Sequence, residues 1–246
     1  VSLVQAWCDE AGLRRPSGDT GTYCKARNRI KLCYLKLIRQ RVIAWLNSRI
    51  RDEDKYKGLV VKSIDGSSVQ LDDTKENQRL YPQPSSQKPH CGFPVMGIMG
   101  VLNHAHGGWE DFAVGEQSAH DAPVAHKLLH NFSDGDLVCG DRAFCTYELI
   151  ASLLQRGAQS VMRLHQARHR ALDFRHGTKI SRDQRLVTWR KPDIQSRGSA
   201  LTAEQWAALP EELNIRLIRF WFEDRDGKAT SGTRWRRSFI SDGTSS

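Results

Sequence analysis

No apolar stretch in the sequence approaches the roughly 20 residues that a membrane-spanning helix needs, because every hydrophobic run is short and broken by charge. A basic segment leading into an apolar stretch and a small-residue cleavage site is also lacking, so nothing marks the chain for export and a cytoplasmic setting is expected. The six cysteines, Cys8, Cys24, Cys33, Cys91, Cys139 and Cys145, are scattered and form no CxxC pair. That argues against a disulfide framework and leaves reduced thiols filling buried space as the expectation. There is no Walker-type glycine-rich loop, no GxSxG elbow and no HExxH. An ATP-driven role, a serine hydrolase and a zinc hydrolase each lose their usual basis. The histidine pairs His104 and His106, His126 and His130, and His165 and His169 have no cysteine pair beside them, which leaves a zinc site weakly supported.

What is present is charge. The 246 residues carry 37 Lys and Arg against 28 Asp and Glu, a net +9. With 39% hydrophobic residues this describes a soluble globular chain of one large domain or two modest ones, with a polyanionic partner. The charge is segmented: +7 over residues 1–58, −5 over 59–162, +8 over 163–237 and −1 in the tail. A protein that merely coats nucleic acid gains nothing from an acidic centre. Cations seated on those carboxylates would turn the repulsion of phosphate into attraction; the alternative is that solvated acidic loops simply fall in the middle.

Apolar spacings of three and four over Lys25–Ile50 predict one amphipathic helix with a basic outer face, preceded by a short helical piece around Leu3–Ala11. Leu59–Leu71 reads as a buried strand ending on Asp65, a tight turn at Gly66 and a second short strand. Phe93–Asn103 and Trp109–Gly115 form a hairpin through Gly107-Gly108, and Ala122–Phe132 a helix entered through Asp121. Asp136–Asp141 is a strand, Thr146–Arg156 a helix closed by Gly157, and Ser160–Leu164 a strand. The predicted fold is α/β with a hairpin first and βα units later. Beyond His165 the composition turns basic, with exposed-faced strands at Arg185–Trp189 and Asn214–Phe222 and a short helix opened by Thr202. Trp189, Trp206, Trp221 and Trp235, interleaved with Arg190, Arg219 and Arg236, are read as core in preference to base-stacking residues.

Two aspartates, Asp65 and Asp141, end two strands 76 positions apart (141 − 65). Strand ends are where ligands meet an α/β sheet, and carboxylates there suit a hard, octahedral ion such as Mg²⁺. The competing reading is that each aspartate caps a turn.

Ile64-Asp65-Gly66-Ser67-Ser68 with Leu71-Asp72-Asp73-Thr74, Pro84–Pro89 leading to Gly92-Phe93-Pro94, and Gly140-Asp141-Arg142-Ala143-Phe144 together resemble DDE transposases, and most closely the bacterial insertion-sequence-four branch. The resemblance runs from Trp7-Cys8-Asp9 to about Phe220. It implies an RNase H-like mixed-sheet core over 59–165, an N-terminal helical basic segment over 1–58 and a β-rich basic insertion over 166–237. Asp65 and Asp141 would match the first two carboxylates of the triad and hold Mg²⁺ or Mn²⁺ for strand cleavage and transfer. The implied partners are double-stranded DNA at transposon ends and target DNA, with a homodimer as a further candidate and a bacterial, nucleoid-associated setting. Arg142 is a phosphate contact or an ion-pair partner of a core carboxylate; Lys88, Arg163, Arg168 and Arg190 are the other candidate DNA contacts.

The third carboxylate of that family stands in a Tyr, two residues, Arg, three residues, Glu pattern, which this sequence does not contain. Glu204, Glu211, Glu212 and Glu223 fall within the insertion, and Glu148 is read as a solvent-facing helix residue. The chain starts at Val1 and finishes in a polar run, 238–246, after an apparently unfinished strand. Both ends read as cut, with a frameshift or premature stop as the expected cause and a non-catalytic DNA-binding remnant as the alternative to an active transposase.

Overall fold

The structure, a computed structural model, describes residues 2–18, 20–88, 90–116, 121–168, 170–196, 198–220 and 237–242. The chain divides into two compact units, residues 1–48 and 49–246.

The first unit is helical: α1 (Ser2–Glu10), α2 (Thr20–Arg29) and α3 (Leu32–Asn47). Arg15 clamps Asp9 with two guanidinium hydrogen bonds at the end of α1. The single helix expected over Lys25–Ile50 is two, because Lys31 is extended (φ −70°, ψ 137°) and starts α3 anew. Residues 20–29 hold a glycine, two threonines and three basic side chains, so no apolar stripe carries the period of α3 back across Ile30. No residue of α2 or α3 is buried; Leu32, Ile38 and Trp45 are exposed.

The second unit is built on β1 (Val60–Gln70), α4 (Lys75–Leu80), β2 (Val95–Asn103), β3 (Gly108–Glu116), α5 (Asp121–His126), β4 (Asp136–Gly140), α6 (Tyr147–Gln155) and β5 (Gln159–Arg163). After β5 come β6 (Thr178–Ser181), β7 (Gln184–Arg190), α7 (Ala203–Ala207), β8 (Glu212–Phe220) and β9 (Arg237–Asp242). The core order is β3-β2-β1-β4-β5, with β1 antiparallel to β2 and parallel to β4, and β4 parallel to β5. This mixed five-strand arrangement with helices is the RNase H-like fold expected. Strands β6, β7 and β8 follow beyond β9, which pairs with both β5 and β8 and joins the strands into one sheet.

Alternation along each strand gives this sheet two different faces. Ile64, Met99, Val101, Val138, Met162, Leu217, Ile215 and Val187 share one core with Ala125, Leu149, Ile150 and Leu153 of the helices. Thr146 caps α6 by accepting from the Leu149 N–H at 3.2 Å, and Gly157 leaves it at φ +78°. The same core encloses Trp189, whose ring meets Tyr147 edge-on at 5.3 Å, and packs against Trp206; Trp221 and Trp235 lie outside the described residues.

Other expectations change. Gly66 makes no turn: β1 runs straight through it, paired to Met99, because β2 offers an antiparallel partner as far as Gln70↔Val95. The helix expected over Ala122–Phe132 is α5 plus a separate 3₁₀ turn at Leu129–Asn131. The polar run after residue 237 begins as a strand, β9. Of the cysteines, Cys8 and Cys145 are buried, Cys139 is half-buried, and Cys24, Cys33 and Cys91 are exposed, so burial accounts for only some of them.

Candidate active site

Strand β1 is paired with β4 from Val60↔Asp136 to Ser63↔Cys139, and then only with β2. Asp65 and Asp141 stand two positions past that last pair on each strand, so they flank the point where the strands part. The 76-residue interval of the ladder is also the interval between them. On the other side β4 pairs with β5 as far as Gly140↔Met162, so Arg163 falls at the level of Asp141. On the β2 side Asp65 is paired to Gly100, over which the Trp109 ring lies. One row on one face therefore reads Gly100, Asp65, Asp141, Arg163. It is the face opposite Ile64 and Val138, and both aspartates are exposed.

Each carboxylate is held by one oxygen. Asp65 Oδ1 accepts from the Gly66 N–H at 2.8 Å; Asp141 Oδ1 accepts from the Ala143 N–H at 2.7 Å and so caps the 3₁₀ turn Arg142–Phe144. The capping reading therefore holds for Asp141 without using up its second oxygen. No other partner reaches either carboxylate among the described residues. Two acid groups with free oxygens suit a hard divalent cation that keeps waters and substrate phosphate as its remaining ligands. No group of three His, Cys, Asp or Glu side chains that could hold a metal occurs among the described residues.

The other candidates are spread out. Arg142 is exposed directly after Asp141. Lys88 is exposed on the loop from the far end of β1 to β2, its carbonyl accepting from Gln83 Nε2 at 2.7 Å. Arg168 lies in a 3₁₀ turn after β5 with its Nε enclosed and unpartnered. Arg190 ends β7 with its Nε 3.2 Å from Glu212 Oε1, far from the aspartate row in strand order.

Three polar groupings went unread in the sequence. Lys62 Nζ is buried between Asp136 Oδ2 (3.0 Å), Glu110 Oε2 (3.1 Å) and the Asn131 carbonyl (2.7 Å), while Asn103 Nδ2 donates to Glu110 Oε1 at 2.8 Å. Part of the acidic centre thus neutralises a buried lysine on the helix-covered face. Glu148 is not solvent-facing: it is 7% exposed, its Oε1 3.1 Å from His126 Nε2 and accepting from the Ala200 N–H at 3.2 Å. Its place in α6, on the covered side, removes it as a partner for Asp65 and Asp141. Ser63 Oγ, one pleat before Asp65 on the same face, is 2.6 Å from His104 Nε2. Burial raises the Cys139 thiol above its ordinary range, keeping it protonated beside that pair.

Three further histidines are engaged separately. His106 Nδ1 accepts from the Gly108 N–H, His130 Nε2 lies 2.9 Å from Asp111 Oδ2, and His165 Nδ1 accepts from the Ala167 N–H, while His169 lies outside the described residues. No helix among the described residues is long and apolar enough to cross a membrane.

No curated protein matches the chain. The family model described as the transposase DDE domain matches residues 56–236, more than half of its length and the whole of the stretch that carries the aspartate row. The chain belongs to the transposase DDE domain family.

Proposed function

We propose that residues 49–246 form the DNA-cleaving core of a transposase of the insertion-sequence-four branch, in which Asp65 and Asp141 hold divalent metal. The observation that carries this reading is the matched level of the two aspartates on parallel neighbouring strands, on the open face of the sheet. A bound Mg²⁺ or Mn²⁺ would offset phosphate charge and acidify an attacking water or hydroxyl. Asp65 and Asp141 would present their uncommitted oxygens to it, with Asp141 fixed by its bond from the Ala143 N–H. Arg163 and Arg142, on either side of Asp141 in space and sequence, would bind oxygens of the phosphate being cut. The reaction class is hydrolysis that frees a 3′-hydroxyl, followed by in-line attack of that hydroxyl on target DNA. Mn²⁺ binding followed by electron paramagnetic resonance tests the site directly. Asp65→Ala and Asp141→Ala should each abolish tight binding, and unaltered binding in both variants would refute the assignment.

A second reading is favoured by the lack of a third carboxylate beside the pair among the described residues. On it, the polypeptide of residues 1–246 binds duplex DNA without cutting it, because two ligands leave the charge and geometry of a two-metal site incomplete. Incubation with duplex DNA and Mg²⁺ or Mn²⁺ decides between the two. Nicking that disappears in Asp65→Ala rules the second reading out.

A further inference from the structure

Strand β7 is paired along its whole length to β8, but β6 covers its other edge only from Gln184 to Leu186. The Lys191 N–H donates to the Glu211 carbonyl opposite at 2.8 Å, and the Arg219 N–H to the Asp183 carbonyl at 2.9 Å. Amide groups alternate sides along an antiparallel strand, so the odd-numbered residues of β7 bond to β8, while Leu186, Thr188 and Arg190 turn theirs the other way. Leu186 meets Thr178, the first residue of β6. Beyond that pair the backbone N–H and C=O groups of Thr188 and Arg190 have no partner among the described residues.

The chain before β6 is held off this edge. A β-carbon on Gly177 would lie 2.7 Å from Val187 Cγ2, and Asp173 Oδ1 accepts from the Arg175 N–H at 2.9 Å, capping a 3₁₀ turn over Phe174–His176. The guanidinium groups of Arg219 and Arg185 lie 3.4 Å and 4.7 Å from the centre of the Phe174 ring and pin it to the core side of the sheet. An open cleft of about 340 Å³ remains, lined by Arg170, His176 and Thr178 and by Val187, Thr188 and Arg190 of β7. The far border of the sheet is guarded differently. At β3, Asp111 Oδ1 takes the Phe112 N–H at 2.8 Å and Lys127 Nζ reaches the Val114 carbonyl at 3.4 Å.

The chemistry of the cleft selects its occupant. Arg170 is exposed with no partner among the described residues, and Arg190 commits only its Nε, to Glu212. The one carboxylate in the wall, Asp173, is engaged by the Arg175 guanidinium at 3.0 Å and 2.7 Å. A row of alternating donors and acceptors is matched by an extended backbone, which supplies both. A phosphodiester only accepts, and would leave the Thr188 and Arg190 carbonyls unpaired. We propose that the free half of β7 takes an extended acidic segment of a partner protein as an added strand, continuing the line of β6 with its carboxylates toward Arg170 and Arg190. Val187–Arg190 spans about 13 Å at ~3.3 Å per residue, so four or five residues of the partner fill the edge. The inference is independent of whether Asp65 and Asp141 cut DNA.

The test uses the full chain and a fluorescein-labelled hexapeptide of alternating Glu and Val, read by anisotropy. It should bind saturably, and a hexapeptide of alternating Lys and Val should not. Arg170→Glu/Arg190→Glu should weaken binding of the acidic peptide by about tenfold or more. Thr188→Pro removes an N–H that the fold does not use, so it should keep the melting temperature and lose the peptide. An acidic peptide N-methylated at alternate residues keeps its charge but not its ladder, and should fail to bind the unaltered chain. Equal binding of the methylated and plain peptides overturns the proposal, as does no saturable binding of the plain one. A labelled duplex that loses affinity in Arg170→Glu/Arg190→Glu while the peptide never binds would give the cleft to nucleic acid. Self-association abolished by Thr188→Pro, again without peptide binding, would give it to a second copy of the chain; either result also overturns the proposal.

Discussion

His126 Nε2 lies 3.1 Å from Glu148 Oε1, with the two side chains only 6% and 9% exposed, so an imidazole and a carboxylate face each other inside the helical layer over the sheet. Burial lowers the His126 pKa from the ordinary 6.5, and the charge of Glu148 opposes that shift without cancelling it. The unfolded imidazole therefore takes up its proton first. The stability this site contributes is fully present above about pH 6.5 and is lost as pH falls through the lower folded value. Urea midpoints between pH 8 and pH 5 should fall toward acid in the unaltered chain, and His126→Gln should flatten that dependence. An identical pH slope in the variant would assign the loss to other groups.

Lys62 should be among the costliest single replacements in the sheet. Its ammonium is the only basic group within ion-pair distance of both Asp136 and Glu110 among the described residues. Lys62→Met leaves two buried carboxylates uncompensated, a loss of about 3–5 kcal/mol by urea unfolding. Adding Glu110→Gln and Asp136→Asn to it should recover a substantial part. A mild effect of Lys62→Met alone would mean that water reaches these acids.

Gly140 precedes Asp141, and a β-carbon there would sit 2.6 Å from Met162 Sδ and 3.1 Å from Phe144 Cβ, with Met162 and Phe144 both fully buried. Gly140→Ala should lower stability by about 1–3 kcal/mol through overpacking. It should also weaken Mn²⁺ binding without touching either carboxylate, because the strand end that presents Asp141 must move. Stability lost with Mn²⁺ affinity intact would show that the neighbours give way and the strand does not.

Divalent metal should stabilise the folded chain, since a ligand that binds only the native state raises its melting temperature in proportion to the logarithm of its excess. Millimolar Mg²⁺ or Mn²⁺ should raise the melting temperature of the unaltered chain and leave Asp65→Asn unmoved. Equal shifts in both would indicate binding elsewhere.

Much of the second unit was legible because its signals are local. The Gly107 turn, the Gly157 helix stop, the Thr202 cap and the alternation in β7 and β8 each lie within a few residues of sequence. Misreadings arose where distant partners decide. Gly66 has the composition of a turn, but β2, about 30 residues later, supplies a ladder that keeps it extended. Lys62, Glu110 and Asp136 look like solvated charge until three strands bring them together. Glu148 fits an exposed position in the first turn of α6, and only α5 and the chain at Ala200 bury it. The two aspartates could be picked out by position, yet their common level rests on the β1 and β4 register, which spacing alone does not specify.

Strand β9 follows every other described strand in sequence yet lies in the middle of the sheet, joined to β5 by two residue pairs and to β8 by six. Until β9 is seated the core strands and the β6–β8 strands are two sheets, each with an unpaired border where β9 will lie. Closing that seam brings residues about 75 positions apart into register, a slow kind of contact to make. During that interval the borders of β5 and β8 are open to pairing with another copy of the chain. A molecule in which β9 is not yet seated, or has come away, is thus the form most open to edge-to-edge aggregation, even with nearly all of its core already formed.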